Sequence, residues 1–479
     1  MDDFFQKNLT AFAPRHRGIE LVSPAPGPGL VALSTPRGLP TARLQGRLLH
    51  SAQDPEREAA AFAKEVAPGA RVFLYGFGLG YPVEAVLKRL GPQGSLLVLE
   101  LNPLILAAAF SLRDLRHLAG DPRLYLIHGQ QEAAVAEAVS TAMANLWQDR
   151  QDAPMQVLLH GASWQSFPEG FAGIATALEV LRMERRVPAL FGGLESRNFT
   201  YNRPAAKRSP GLKTLLNRHR NRPGLLVSAG PSLDALRPYL APLAAHCVTG
   251  CVDTALPVLR ALDLCPDYVF TLDPQEESFQ HFAGHLECPA PLVFTPTANP
   301  RVIRHYRGKK FVVFKEGHAV TGGRDELEAE KGLTQAGGSV ACLGLDCLIQ
   351  MGCNPMVLIG QDCAFSGGRR YARLPGPAGI AGASAPGDGG EDPTRGPSGE
   401  AKPVRVEGCH PGEVATDSVL YSYLRTLEQI AAANPQVRIL NLQSQGARIA
   451  HTQTLGSIGE VWQFLGSGFT GKSPGRVLA

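Results

Sequence analysis

Short apolar runs recur along this chain, each closed by a small or acidic residue and followed by an amphipathic stretch. The rhythm is strictest after Gly224. Leu225–Ala229 reads as a strand that enters the turn Ser228-Ala229-Gly230-Pro231-Ser232, and helical spacing begins at Leu233. Cys247–Val252 ends at Asp253, a helix follows over Ala255–Leu262, and Tyr268–Leu272 ends at Asp273. Pro291–Thr295 and Lys310–Lys315 read as further strands. Gly337-Gly338-Ser339 opens a helix with Val340, Leu343, Cys347, Leu348 and Met351 on one face, and strand Met356–Ile359 then delivers Gly360-Gln361-Asp362. Helix Asp417–Ala432, strand Val437–Leu442 closing the sheet, and a short helix near Ile458–Phe464 complete the pattern. Strands alternating with helices over short connections predict an α/β fold with a doubly wound parallel sheet.

An earlier stretch has the same grammar. Arg71–Tyr75 is a strand, Gly76-Phe77-Gly78-Leu79-Gly80 a turn and Pro82–Leu90 a helix; strand Leu96–Leu99 ends at Glu100. Strand Leu124–His128 and helix Glu132–Leu146 continue this unit, and Ser51–Pro55 caps a helix over Glu56–Val66. The expected architecture is therefore two Rossmann-like domains, at 1–150 and 223–479, joined by a mainly helical connector at 151–222. Within the connector, Asn198, Tyr201, Asn202 and Arg203 cluster, as if to place side chains over the following domain. Residues 373–400 are almost entirely Gly, Pro, Ala, Ser and acids, a composition that builds no core and predicts a flexible loop, either a lid or a spacer.

Composition narrows the partners. A chain of 479 residues, 44% hydrophobic and 19% charged, is globular and long enough for more than one core. A net charge of +4 over this length leaves no face-wide Lys/Arg excess for a nucleic-acid surface. The start, MDDFFQKNL, lacks the apolar core of a signal peptide, and no apolar run is long enough to span a membrane. Nine cysteines, an odd number lying mostly in apolar runs, read as buried thiols in a reducing cytoplasm.

Candidate chemistry gathers at strand ends. In a parallel sheet ligands bind beyond the carboxyl ends of the strands, where Asp253, Asp273, Asp362 and the Gly230 turn all fall. That turn resembles an anion site at a helix N-terminus, with Gly230 permitting an unusual backbone and Ser232 capping the helix or donating to a phosphate. The Gly76–Gly80 turn with Glu100 fits either a nucleotide or S-adenosylmethionine pocket or a turn kept for packing. His281, His285 and Cys288 offer a metal-like spacing but no further ligand, so structural histidines are expected and no metal site is assigned.

Several blocks together resemble the motility accessory factor (Maf) family of flagellin glycosyltransferases. They are SAGPSLD (Ser228–Asp234), VDTALPVL (Val252–Leu259), PDYVFTLDPQ (Pro266–Gln275), GGSVACLGLDCLIQMG (Gly337–Gly352) and VLIGQDCAF (Val357–Phe365). LHSAQDPEREA (Leu49–Ala59) and FLYGFGLGYPVE (Phe73–Glu84) add to them. The same domain type is similar to archaeal 6-hydroxymethylpterin diphosphokinase and to metal-independent sialyltransferases (GT-A-like). The resemblance implies a cytoplasmic, inverting, CMP-sugar-dependent transferase. It would move a nonulosonic acid of the pseudaminic or legionaminic type onto Ser/Thr of flagellin, with no cofactor beyond the donor. Gly230, Pro231 and Ser232 would hold the nucleotide phosphate; Asp253, Asp273, Gly338, Ser339 and Asp362 would line the pocket. Family members are expected to carry a histidine where this chain has Ser366–Ala372. The catalytic candidates here are Tyr371, a poor base at neutral pH that otherwise has another role, and His410 across the flexible loop. The further alternative is a member that transfers poorly or not at all. The alternatives are a pterin-type diphosphokinase using ATP and Mg²⁺, and a non-catalytic flagellin-binding accessory protein.

Overall fold

The computed structural model describes residues 2–14, 16, 29–148, 153–318, 320–321, 326–373, 404–443 and 445–465, leaving aside the side chains of 183–190. The loop expected at 373–400 falls outside these from residue 374 onward. The chain divides into two units, Met1–Arg185 and Arg186–Ala479.

The first unit holds a four-stranded parallel sheet of β1 (Arg71–Tyr75), β2 (Ser95–Leu99), β3 (Leu124–Ile127) and β4 (Met155–Leu159), in the order β3-β2-β1-β4. Alternate residues face opposite layers. Val72, Leu74, Leu96 and Val98 join one core, and Phe73, Tyr75, Leu97 and Leu99 the other. A three-stranded antiparallel sheet (Leu30–Ser34, Pro40–Leu44, Arg47–Leu48) completes this unit's sheets. The expected boundary at 150 is corrected: Met155–Leu159 pairs with β1, so the first sheet extends into the stretch read as connector. A helix, Ala172–Arg208, then runs on into the second unit.

The second unit is built on an eight-stranded sheet. Its strands are β5 (Gly224–Val227), β6 (Val248–Val252), β7 (Tyr268–Thr271), β8 (Leu292–Phe294), β9 (Lys310–Val312), β10 (Met356–Ile359), β11 (Ile439–Leu442) and β12 (Gln453–Leu455). The order is β9-β8-β7-β6-β5-β10-β11-β12, parallel throughout. Its two faces bury separate apolar layers: Leu225, Val227, Val357 and Ile359 on one, Leu226, Leu358 and Met356 on the other. The sheet is therefore doubly wound, as the alternation of apolar runs predicts. Two details differ. Lys310–Lys315 is split, since Phe314–Lys315 leaves β9 to pair with Leu333–Thr334. Val437–Leu442 does not close the sheet, because Gln453–Leu455 adds a strand beyond it. Three residues of moderate hydrophobicity carry too weak a period to be read from sequence.

Among the described residues no helix is long and apolar enough to cross a membrane. All nine cysteines are free, and all are buried except Cys265 and Cys409.

Candidate functional site

The order of strands sets the site. β5 starts the second sheet, later strands are added on one side as far as β9, and β10 returns to its other flank. The reversal between β5 and β10 is a topological switch point, where the connections part and leave a crevice at the carboxyl edge. Asp273, Asp253, the Gly230 turn and Asp362 follow β7, β6, β5 and β10, four strands adjacent in that order.

At the switch point the two loops lock together. Gly230 N–H donates to Gly360 O at 2.8 Å, and Ser228 N–H to Ile359 O at 2.8 Å. The Asp362 carboxylate lies under the turn. It accepts from Ser232 N–H at 3.2 Å, from Ser232 Oγ at 2.7 Å and from Ser366 Oγ at 3.0 Å. Gly230 is explained by this closeness and not, as its sequence context suggests, by an unusual φ. A Cβ there would stand 2.1 Å from Asp362 Oδ2 and 2.5 Å from Gly360 O. Nor does Ser232 cap through its hydroxyl. Leu233 and Asp234 N–H donate to Gly230 O and Pro231 O, so the N–H groups at the start of helix Leu233–His246 already have acceptors. In this arrangement the protein's own carboxylate occupies the place where a phosphate was expected. Burial raises Asp362 to about 6 against the pull of its four donor contacts.

Of the flanking acids, Asp253 is buried and Asp273 partly buried. Asp253 accepts from Thr254 N–H at 2.8 Å and Thr271 Oγ1 at 3.0 Å; Asp273 accepts from Gln275 N–H at 2.8 Å. Burial lifts each to about 6, and for Asp273 the nearby Asp253 charge adds to the rise. Tyr371 belongs to the same neighbourhood. Burial raises its phenol, the Arg370 guanidinium opposes this, and the charges of Asp253 and Asp273 reinforce it. Arg370 pairs with Asp417 at 3.3 Å. Ser339 caps helix Val340–Gln350 by accepting from Ala341 N–H at 3.2 Å, and a Cβ on Gly338 would lie 3.5 Å from the Tyr423 ring. Tyr423 feels the charges of Arg370 and Asp273, with burial the main cause of its raised phenol. Asp253, Asp273 and Tyr371 therefore share one electrostatic neighbourhood, which Tyr423, beside Gly338, extends.

His410 stands apart from that group. It is exposed in the turn between strands Val404–Glu407 and Glu413–Thr416. The metal-like spacing of His281 and His285 dissolves, because helix Ser278–Phe282 ends between them, and His281 instead lies near Asp273. Among the described residues no three His, Cys, Asp or Glu side chains converge to hold a metal ion.

Two residues without an obvious chemical motif hold the site's outer edge. Asn198 Nδ2 donates to Pro274 O at 2.9 Å and Thr297 O at 3.2 Å, while Asn202 Nδ2 donates to Pro296 O at 3.0 Å and Ala298 O at 2.7 Å. Spaced four apart on one helix, they clamp the loops that follow β7 and β8, the first directly after Asp273. The Asn198–Arg203 cluster was the sequence signal for them.

The Gly76–Gly80 turn of the first unit is closed as well. Glu100 is fully buried and accepts from Phe77 N–H at 3.0 Å, Asn102 N–H at 3.0 Å and Ser163 Oγ at 2.9 Å. Leu79 N–H donates to His50 Nε2 at 2.8 Å. A Cβ on Gly78, whose φ is +56°, would meet His50 Nε2 at 2.6 Å. The acid read as a ribose ligand is thus turned beneath the loop. The loop is packed against the protein's own side chains, as the packing reading expects.

Residues 197–368 match a protein-family model described as 6-hydroxymethylpterin diphosphokinase MptE-like. A Maf glycosyltransferase structure from Magnetospirillum magneticum AMB-1 is similar at 16% identity, over 95% of this chain and 74% of that one, with a TM-score of 0.44. No curated protein sequence matches. The matched range begins one residue before Asn198 and contains Asp253, Asp273, Asp362 and every block quoted from Ser228 to Phe365. It is through this part of its second unit that the chain is similar to the MptE-like 6-hydroxymethylpterin diphosphokinase family.

Proposed function

We propose that the second unit is a transferase of nucleotide-activated sugars, taking a CMP-linked nonulosonic acid as donor and Ser/Thr hydroxyls of flagellin as acceptors. The observation that carries this is a grouping at a switch point: Asp273, Asp253 and Asp362 on three strand ends, with the Gly230 turn on a fourth between Asp253 and Asp362, and Tyr371 near Asp253 and Asp273. The likeness of the sequence blocks to Maf proteins supplies the donor class. Because Asp362 fills the Ser232 turn, Arg370 is the group we propose to receive the donor phosphate. In the transfer, the acceptor oxygen bonds to the anomeric carbon, the bond from that carbon to the phosphate oxygen breaks, and CMP leaves with the electron pair. A carboxylate takes the acceptor proton. Asp273, raised to about 6, is better matched to that task than Tyr371, whose raised phenol keeps its proton and is left to hydrogen-bond the leaving phosphate.

The family match favours one second reading, a pterin-type diphosphokinase in which Asp253 and Asp273 face an ATP-bound Mg²⁺. Calorimetric titration with CMP and with ATP–Mg²⁺ separates them. CMP binding that Asp273→Ala weakens at least tenfold supports the transferase. Binding of ATP–Mg²⁺ without CMP overturns it.

A further inference from the structure

In the first unit the switch point lies between β1 and β4, and a cavity of about 280 Å³ opens there beside the closed glycine turn. Leu49, Ala59, Phe62 and Pro82 form apolar walls, His50 and His160 line it, and Glu58 and Gln165 stand at its exposed rim. The imidazole planes stack at 4.8 Å. His50 Nε2 accepts from Leu79 N–H, so its proton is on Nδ1, which faces Glu58 Oε2 at 3.5 Å. The same Glu58 oxygen accepts from Ser51 N–H at 2.9 Å.

The charge balance selects the ligand. Glu58 is the only charged carboxylate among the lining residues, and its partners there are N–H donors, not cations. Those donors keep it ionised against the effect of burial. Burial keeps both imidazoles neutral, with pKa values below the ordinary 6.5. Arg113, whose charge reaches His50, is held by Glu84 at 2.9 Å. Arg47 touches the rim through Gln165 at 3.1 Å but is exposed and screened by solvent. The result is an apolar slot with an aromatic wall and one fixed negative charge at its mouth.

We propose that this cavity binds a small organic cation with a planar or apolar body, of the amidine or aryl-ammonium class, through Glu58. The N–H groups of Phe77 and Leu79 in the glycine turn beside it are taken by Glu100 and His50. The cavity is lined by residues of the first unit, and the proposal does not depend on the transferase reading.

Benzamidine, its neutral isostere benzamide and the anion benzoate test this on the full chain, by saturation-transfer NMR and calorimetry. Benzamidine should bind, with benzamide and benzoate at least tenfold weaker. Glu58→Gln should weaken benzamidine at least tenfold, and Ala162→Trp, which fills the slot, should abolish binding. Asp273→Ala should change nothing. Absence of benzamidine binding to the folded wild-type protein, equal binding of benzamide, or full binding by a folded Glu58→Gln variant overturns the proposal. Glu58 is half exposed, so that variant tests the charge even if Ala162→Trp fails to fold.

Discussion

The two glycine turns of this chain look alike in sequence and share one device. Each is closed by a carboxylate from the end of the neighbouring strand: Glu100 under Phe77, Asp362 under Ser232. They differ in what lies next to that carboxylate. Around Glu100 stand Ser163 and, across the turn, the stacked imidazoles of His50 and His160, which fill the space directly against Gly76 and Gly78. Past the Gly230 turn from Asp362, the next two strand ends bring Asp253, buried, and Asp273, partly buried, and a buried Ser228 hydroxyl has no partner. A glycine-rich strand-to-helix turn therefore reports that something approaches the backbone closely. It does not report whether that something is a ligand or the protein itself.

Substitutions can break this comparison, and the largest effect is expected at Gly230. Gly230→Ala sets a methyl against Asp362 and a backbone oxygen, neither of which can retreat, and should cost roughly 3 kcal/mol or more in denaturant unfolding. Glu100→Ala leaves the Phe77 and Asn102 N–H groups without their acceptor. A loss of about 3 kcal/mol is expected, confined to unfolding of the first unit. An unchanged transition in either variant would mean that the turns are looser than drawn.

A pH series sharpens the contrast. Between the ordinary 3.8 and the raised value of about 6, folded Asp362 holds a proton that the unfolded chain has released. Its contribution therefore falls as pH rises through that window. About two pH units at 1.36 kcal/mol each make this about 3 kcal/mol. Asp362→Asn lacks that slope, so its stability relative to wild type should rise from pH 4 to pH 6 and then level off. Glu100→Gln should show the same crossover nearer pH 7, because Glu100 is raised to about 7. Parallel pH profiles for variant and wild type would show that the carboxylates titrate normally.

The smallest expected effect is at the clamp. Asn198→Ala removes two hydrogen bonds and should cost about 1–2 kcal/mol while weakening CMP severalfold. Asn202→Ala, further from Asp273, should match the stability loss with less effect on CMP. Equal effects on binding would remove the link between Asn198 and the Asp273 loop.

The parallel strands were legible because strands buried on both faces write long apolar runs, and because Asp253, Asp273 and Asp362 each terminate one. What escaped depended on contacts distant in sequence. Nothing near Ser232 indicates that Asp362, 130 residues away, takes its N–H. Nothing near Gly78 indicates that His50 fills the space beside it. Asn198 and Asn202 showed as a polar cluster, but the carbonyls they hold are supplied by loops about 75 to 100 residues on. Placing the first-unit boundary at 150 failed for a related reason, since Met155–Leu159 is only half buried and resembles the helical stretch that follows it.

The distribution of thiols has a practical consequence. Seven of the nine are sealed in the core, which leaves two that a reagent can reach. Cys409 feels the Asp362 charge and hydrogen-bonds through its N–H to Gly446, which packs on Asp362. Cys265 precedes β7 and so lies at the opposite edge of the same sheet. The wild-type protein thus carries a chemical reporter beside its candidate site and a reference thiol remote from it. Alkylation rates at the two, compared with and without CMP, follow occupancy without any introduced label.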